Sequence, residues 1–268
     1  MLLVSSAKGG VGKSTTAYNL AVALSLDGQQ VGLLDGDIYG PSIPRLTGTL
    51  ESAPASNGEK FTPLVAQGMK VISMGHLVED DAPVVWRGPL VQRAIMQLIT
   101  DVDWGTLDVL VVDMPPGTGD IALSMGQKAS GLADKAAAIV VTTPQQVAVA
   151  DARKGLEAFR KLNLPILGVV ENMSAFICPH CEEKTDIFGS NGGETLAKAT
   201  DLPLLAQFPL DVRVQRGTEA GQSILTQHPD SEVAEGFRAL AQAVLAGLEE
   251  LPDASQPVAE GPVKVSIQ

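Results

Sequence analysis

The first sixteen residues, MLLVSSAKGGVGKSTT, leave this chain few folds to choose from. They read as an apolar strand (Leu2, Leu3, Val4), a glycine loop (Gly9, Gly10, Gly12), a lysine (Lys13), two hydroxyl residues (Ser14, Thr15) and the opening of a helix. That order builds a phosphate cradle. Glycines let backbone N–H groups turn inward around an anion without a Cβ in the way, and the helix that follows aims its positive end at the same charge. In such a loop the lysine reaches the terminal phosphates of a nucleotide and the first hydroxyl ligates Mg²⁺, which gives those roles to Lys13 and Ser14. The usual spacing, G-x-x-x-x-G-K-[ST], is not quite met: its first glycine falls on Ala7, and Lys8 opens the loop instead.

The remaining pattern supplies a sheet to hold such a loop. The helix after it carries Ala17, Leu20, Ala21 and Leu24 on one face, and Gly28 stops it. Continuous apolar runs, the mark of strands covered on both faces, occur at residues 31–34, 107–112, 136–141 and 166–170. Residues 69–74 and 204–208 read as further strands, and 89–99, 147–162, 194–200 and 232–251 as helices. Residues 50–68 read as a surface loop, and the stretch after 170 that holds C-P-H-C as irregular. Strands alternating with helices predict an α/β fold: a doubly wound, mainly parallel sheet with helices on both faces and the ligand at the strands' C-terminal ends. A single domain is expected over 1–251, with a cysteine-bearing insert near 171–190. The tail, 252–268, has three prolines and no aromatic residue and reads as disordered.

Several polar residues stand where chemistry is done. Asp113 ends the apolar run 109–112, as a Walker B carboxylate does when it holds a water on Mg²⁺. Residues 115–120, P-P-G-T-G-D, offer backbone amides beside the γ-phosphate. Asp35 and Asp37 follow the second strand, although D-G-D is also good turn chemistry. Cys178 and Cys181 can clamp one edge of a metal or cluster, which is half a site. The chain has 2 cysteines, so four thiolates require a second copy. The same pair could serve a zinc ion or act as a redox dithiol, and the residues leave those alternatives open.

The loop K-G-G-V-G-K-S-T resembles the deviant P-loop of the ATPases that include ParA, MinD, the nitrogenase iron protein and the Mrp-type proteins. D-G-D-I-Y-G-P-S, W-R-G-P, V-V-D-M-P-P-G-T-G-D, T-T-P-Q, E-N-M-S, C-P-H-C, I-F-G and F-P-L-D then follow in the order of the Mrp (ApbC) family of iron–sulfur cluster carrier ATPases, over residues 1–245. The resemblance implies an ATP-hydrolysing homodimer. It places ATP on Lys8, Gly9, Gly10, Val11, Gly12, Lys13, Ser14, Thr15, Asp35, Asp113 and Asn172. Lys8 would reach across to the partner's nucleotide, Asp37 would orient the attacking water, Asp35 would support the Mg²⁺ shell and Asn172 would hydrogen-bond the adenine. Cys178 and Cys181 of two subunits would hold a labile [4Fe–4S] cluster, received from a cluster donor and passed to apo-proteins. Two departures stand out: many bacterial members carry a small additional N-terminal domain, and E-A-G-Q (219–222) lacks a proline that often follows there.

Charge narrows the alternatives. Lys+Arg 19 against Asp+Glu 31 gives −12, a poor match for nucleic acid or an anionic membrane. A MinD-like positioning switch would end in a basic amphipathic helix, whereas the last helix here carries Glu232, Glu235, Glu249 and Glu250 against Arg238. A zinc-stapled dimeric scaffold is the other rival. With no apolar run of ~18 residues and cysteines too few for a disulfide framework, a cytoplasmic protein is expected.

Overall fold

The computed structural model describes residues 1–77, 88–117, 131–181 and 183–252. Trp86 and Arg87 of W-R-G-P, residues 118–120 of the proline-containing switch, and the tail 253–268 lie outside the described residues. In chain order the elements are β1 (Leu2–Ser5), α1 (Lys13–Leu26), β2 (Val31–Asp35), α2 (Ile43–Leu46), β3 (Ala55–Ser56), β4 (Phe61–Thr62), β5 (Leu64–Ala66) and β6 (Met69–Ser73), then a 3-10 turn (Met74–His76). There follow α3 (Gly88–Thr100), β7 (Val109–Asp113), β8 (Ala137–Thr142), α4 (Gln146–Lys161), β9 (Ile166–Ile177), β10 (Lys184–Thr185) and α5 (Gly192–Thr200). The last are β11 (Leu204–Leu210), α6 (Val212–Glu219), α7 (Ile224–Gln227) and α8 (Glu232–Glu249).

The expected sheet is present. Its order is β10-β9-β8-β1-β7-β2-β6-β5, with β11 also on β9. All pairings in it are parallel except β5 on β6 and β10 on β9. Alternate strand residues feed two cores. Leu2, Val4, Leu33, Val71 and Val111 face α1 and α8, while Leu3, Leu34, Ile72, Val112 and Val140 face α3, α4 and α5. Burial on both faces is why these strands read as continuous apolar runs.

Register does the positioning. Asp35 lies opposite both Asp113 and Ser73, and Val4 lies opposite Asp113. The C-terminal ends of β1, β7, β2 and β6 therefore form one edge, with the glycine loop rising from it at the point where the strand order reverses around β1.

Some expectations are corrected. Helix α1 is buried nearly all round, with Thr16, Tyr18, Asn19, Val22 and Ala23 enclosed as well as the predicted face. The sheet covers one side and α7 and α8 the other, and Ser223 Oγ donates to Asn19 Oδ1 at 2.7 Å. Residues 50–68 are not plain loop. Asn57 Oδ1 accepts from the amides of Glu59 and Lys60 at 2.9 and 2.7 Å and turns β3 into β4. Gln67 and Gly68, with φ 50° and 79°, make the two-residue turn that returns β5 onto β6. The segment after 170 continues as strand to Ile177, because β11 runs alongside it, with Phe208 opposite Asn172 and Leu210 opposite Phe176. Met173, at φ 57°, absorbs the irregularity in that pairing.

Candidate functional site

Gly10 and Gly12 adopt φ 79° and 86°, the left-handed conformation that the loop needs and that glycine tolerates. Gly12 caps α1 with no side-chain hydrogen bond, so the first amides of α1 are not capped by a side chain. Gly9 and Gly10 look onto open space. Val11 is buried beneath the loop, and Ser14 and Thr15 are half-buried in the first turn of α1. The geometry is that of an anion cradle at a helix N-terminus.

Lys13 is the centre of the site. Its ammonium lies 2.5 Å from Asp113 Oδ1, 3.1 Å from Ser14 Oγ and 4.0 Å from Asp37 Oδ2. Asp113 is fully enclosed, and burial pushes its carboxyl up while the Lys13 ammonium and the Ser14 hydroxyl pull it down. Burial also raises Asp37; there Lys13 opposes the shift and Asp113 adds to it. Asp35 is pushed up to about 7 by burial, reinforced by Asp113. Its Oδ1 accepts from the Asp37 amide at 3.0 Å, and its Oδ2 from Ser73 Oγ at 3.0 Å and the Ile43 amide at 3.1 Å.

Two carboxyl groups, Asp113 and Asp37, thus lie within 4.0 Å of one ammonium, with Asp35 behind them. Asp113 Oδ2 is buried with no hydrogen-bond partner among the described residues. A buried, unsatisfied carboxylate oxygen is costly to keep unless something else supplies a proton to it. The donor set, acidic oxygens beside a loop hydroxyl, suits the water shell of a hard divalent cation.

The other expected residues are placed as follows. Lys8 stands at the rim and pairs with Asp151 Oδ2 of α4 at 3.1 Å. Asp151 was not anticipated, and only its place near the start of α4 could have suggested it. Asn172 is brought to the loop from β9: its Nδ2 donates to the Val11 carbonyl at 2.9 Å. A Cβ at Gly12 would overlap the Asn172 amide. The strand also brings in Glu171, which sequence reasoning did not single out. It is fully buried, accepts from Gln207 Nε2 at 2.8 Å and takes the Gly193 amide at the start of α5.

Cys178 and Cys181 are not brought to this pocket. They sit in the turn that joins β9 to β10, closed by the Cys178 amide donating to the Glu183 carbonyl at 3.1 Å. Cys181 is exposed and Cys178 half-buried. The amides of His180 and Cys181, then the Cys181 thiol, point hydrogen at the Cys178 sulfur and hold its pKa below the usual thiol value. Among the described residues no group of three or more His, Cys, Asp or Glu side chains is placed to hold a metal ion.

Helix α8 buries Val233, Phe237, Leu240 and Val244 against α1 and β11, and Phe237 stacks on Phe208 at 4.0 Å between centroids. Its apolar face is used inside the fold. Among the described residues no helix is long and apolar enough to cross a membrane.

Comparison with known proteins agrees with this geometry. The family described as NUBPL iron-transfer P-loop NTPase, of the ParA group, matches residues 1–245. An iron-sulfur cluster carrier protein of Helicobacter pylori is 48% identical over 252 residues, covering 93% of this chain and 67% of that protein. The iron-sulfur cluster transfer protein NUBPL of Mus musculus is 46% identical over 257 residues, covering 94% of this chain and 79% of that protein. Among solved structures, a nucleotide-binding protein of Archaeoglobus fulgidus in complex with ADP superposes with TM-score 0.74 at 34% identity, over 88% of this chain and 90% of that one. The septum site-determining protein MinD of Pyrococcus horikoshii, complexed with Mg-ADP, gives TM-score 0.63 at 25% identity, over 92% and 97%. With its glycine loop, its Lys13–Asp113 pair and a family match over nearly its whole length, the chain belongs to the ParA-type iron-transfer P-loop NTPases.

Proposed function

We propose that two copies of this chain form a Mg²⁺-dependent ATPase that carries an iron–sulfur cluster between their C-P-H-C turns and delivers it to apo-proteins. The observation that carries the reading is the continuity of β9, which presents Asn172 to the glycine loop and ends one residue before Cys178. Asn172 and Phe176 lie opposite Phe208 and Leu210, so four residues of β9 span only two of β11, and at ~3.3 Å per residue the nucleotide end and the thiol end of this bulged strand lie about 13 Å apart. The carrier and transfer roles named for the relatives at 46–48% identity support the same reading.

In this proposal the amides of residues 9–13 cradle the phosphates and Lys13 neutralises them. Ser14 Oγ would ligate Mg²⁺, and the unpartnered Asp113 Oδ2 would accept from a water bound to it. When bound, the cation neutralises charge building on the phosphate oxygens. Asp37 orients the water that attacks the γ-phosphorus as the bond to ADP breaks. Lys8 leaves Asp151 for the partner's nucleotide, in the manner of an arginine finger. Asn172 keeps its donor on Val11 and offers Oδ1 to the adenine amino group. Asp35 would support the Mg²⁺ shell from behind, through the Asp37 loop whose amides at Asp37 and Ile43 it anchors. The cluster is cargo: each chain gives two thiolates, and the lowered Cys178 pKa favours the ligating form. Exchange of ATP for ADP changes the dimer geometry and so the hold on the cargo.

Anaerobic reconstitution with iron and sulfide tests this. A brown dimer holding about four irons per two chains is expected. Cys178→Ala should lose the iron and keep ATP binding. Equal iron in variant and wild type overturns the proposal.

A further inference from the structure

Behind the loop that carries Asp37, buried polar groups close a ring. Ser73 Oγ donates to Asp35 Oδ2 at 3.0 Å and accepts from the Gly75 amide at 3.0 Å. The Ser73 amide donates to His76 Nδ1 at 3.2 Å, which makes Nδ1 the acceptor and leaves the ring proton on Nε2. His76 Nε2 then donates to Thr49 Oγ1 at 2.9 Å. Thr49 lies 2.8 Å from Thr47 Oγ1, which donates to the Ile43 carbonyl at 2.7 Å. The Ile43 amide returns to Asp35 Oδ2 at 3.1 Å. Thr47 Oγ1 also lies 3.4 Å from the Pro44 carbonyl, the longer of its two acceptors, so the hydroxyl hydrogens run from Ser73 to Asp35 and from Thr49 through Thr47 to α2. Burial holds His76 down at about 4, which keeps it neutral and able to accept at Nδ1. Both ends of loop 36–42 are tied to this ring, at Asp35 and at Ile43. The 3-10 turn presses on the loop as well: a Cβ at Gly75 would stand 3.1 Å from Pro41.

We infer that His76 is a positioning residue for Asp37. Its ring joins the Ser73–Asp35 contact to Thr49, Thr47 and α2, and so sets the span of the loop on which Asp37 stands. Asp35 Oδ1 completes the link by accepting from the Asp37 amide. His76 acts at a distance, through its two ring hydrogen bonds to the Ser73 amide and Thr49. The inference rests on the proposed role of Asp37 in hydrolysis.

The test uses the full-length protein, with steady-state ATP hydrolysis, ATP binding by calorimetry and the melting midpoint measured on each variant. His76→Phe removes both ring nitrogens and should lower kcat about tenfold while ATP affinity stays within about threefold, because misplacement of a reacting group acts on rate rather than binding. His76→Gln keeps an N–H toward Thr49 and should recover most of that loss. Ser73→Ala breaks the ring at a second place and should repeat the kcat effect; it decides the matter if His76→Phe does not fold. Unchanged kcat in both His76→Phe and Ser73→Ala, beside an inactive Asp37→Asn, overturns the inference alone. A loss confined to ATP affinity overturns it too. Wild-type hydrolysis by Asp37→Asn overturns the reading of Asp37 beneath it.

Discussion

At Asn172 strand β9 has β11 alongside it and the glycine loop packed against its side chain, whereas just before Cys178 it ends in the turn that leads to the two-residue β10. At the first place, groups from β1, β2, β6 and β7 meet through sheet register, and Lys13, Asp35 and Asp113 are almost wholly enclosed. At the second, each thiol sees little beyond its own turn. In the proposed dimer the nucleotide pocket is completed within one chain, Lys8 excepted, while the two thiols need those of a second copy. On that proposal one strand joins a region whose geometry is set by folding to one whose geometry would be set by assembly.

Substitutions can break or sharpen that contrast. The largest effect is expected at the tip: Cys178→Ala or Cys181→Ser should take cluster iron to background, while the urea midpoint stays at the wild-type value because the turn is exposed. A large loss of stability would show that the tip is part of the folded core after all. Next, Lys13→Ala should abolish ATP binding and cost about 3 kcal/mol in urea unfolding, since it leaves a buried carboxylate without its cation. A loss under ~1 kcal/mol would mean that Asp113 is not held by the pair.

The third effect is pH dependence at the enclosed end. The Asp35 carboxyl titrates at about 7 in the folded protein and near 4 in an unfolded chain. Between those values the folded state holds a proton the unfolded state has released, so the contribution of this group falls as pH rises, by up to ~1.4 kcal/mol per unit. Wild type should gain stability from pH 7.5 to pH 5.5 relative to Asp35→Asn; parallel profiles would refute it. Smallest in stability is Lys8→Ala, which removes an exposed, solvent-screened ion pair with Asp151 and should leave the unfolding curve unchanged. If Lys8 acts on the partner's nucleotide, the same change lowers hydrolysis by about 10³. Unaltered hydrolysis would confine Lys8 to its own surface.

The buried parallel strands and the glycine loop were legible because their signals are local: apolar runs that end in Asp35 and Asp113, glycines where φ must be positive. What escaped depends on distant partners. Strand β9 runs past residue 170 only because β11 lies beside it, and nothing in E-N-M-S-A-F-I announces that. Helix α1 looked one-sided because the side covered by α7 and α8 carries small and polar residues such as Thr16 and Asn19. His76, Thr47 and Thr49 are isolated polar residues in sequence and become a network only when β6 and α2 are set side by side. Short helices such as α2 and α7 have too few turns for periodicity to register.

Strands β1 and β2 are consecutive in the chain, yet the sheet leaves a slot one strand wide between them, which β7 fills. A nascent chain that has emerged from the ribosome through residue 100 already carries the whole glycine loop, Lys13 and Asp37. It has no Asp113, and the facing edges of β1 and β2 are unpaired. Pairings so far apart in sequence form late and slowly. The carboxylate side of the pocket therefore arrives at one step, with the entry of a single five-residue strand, and Asn172 follows later on β9; until then the half-made protein carries an open seam between β1 and β2.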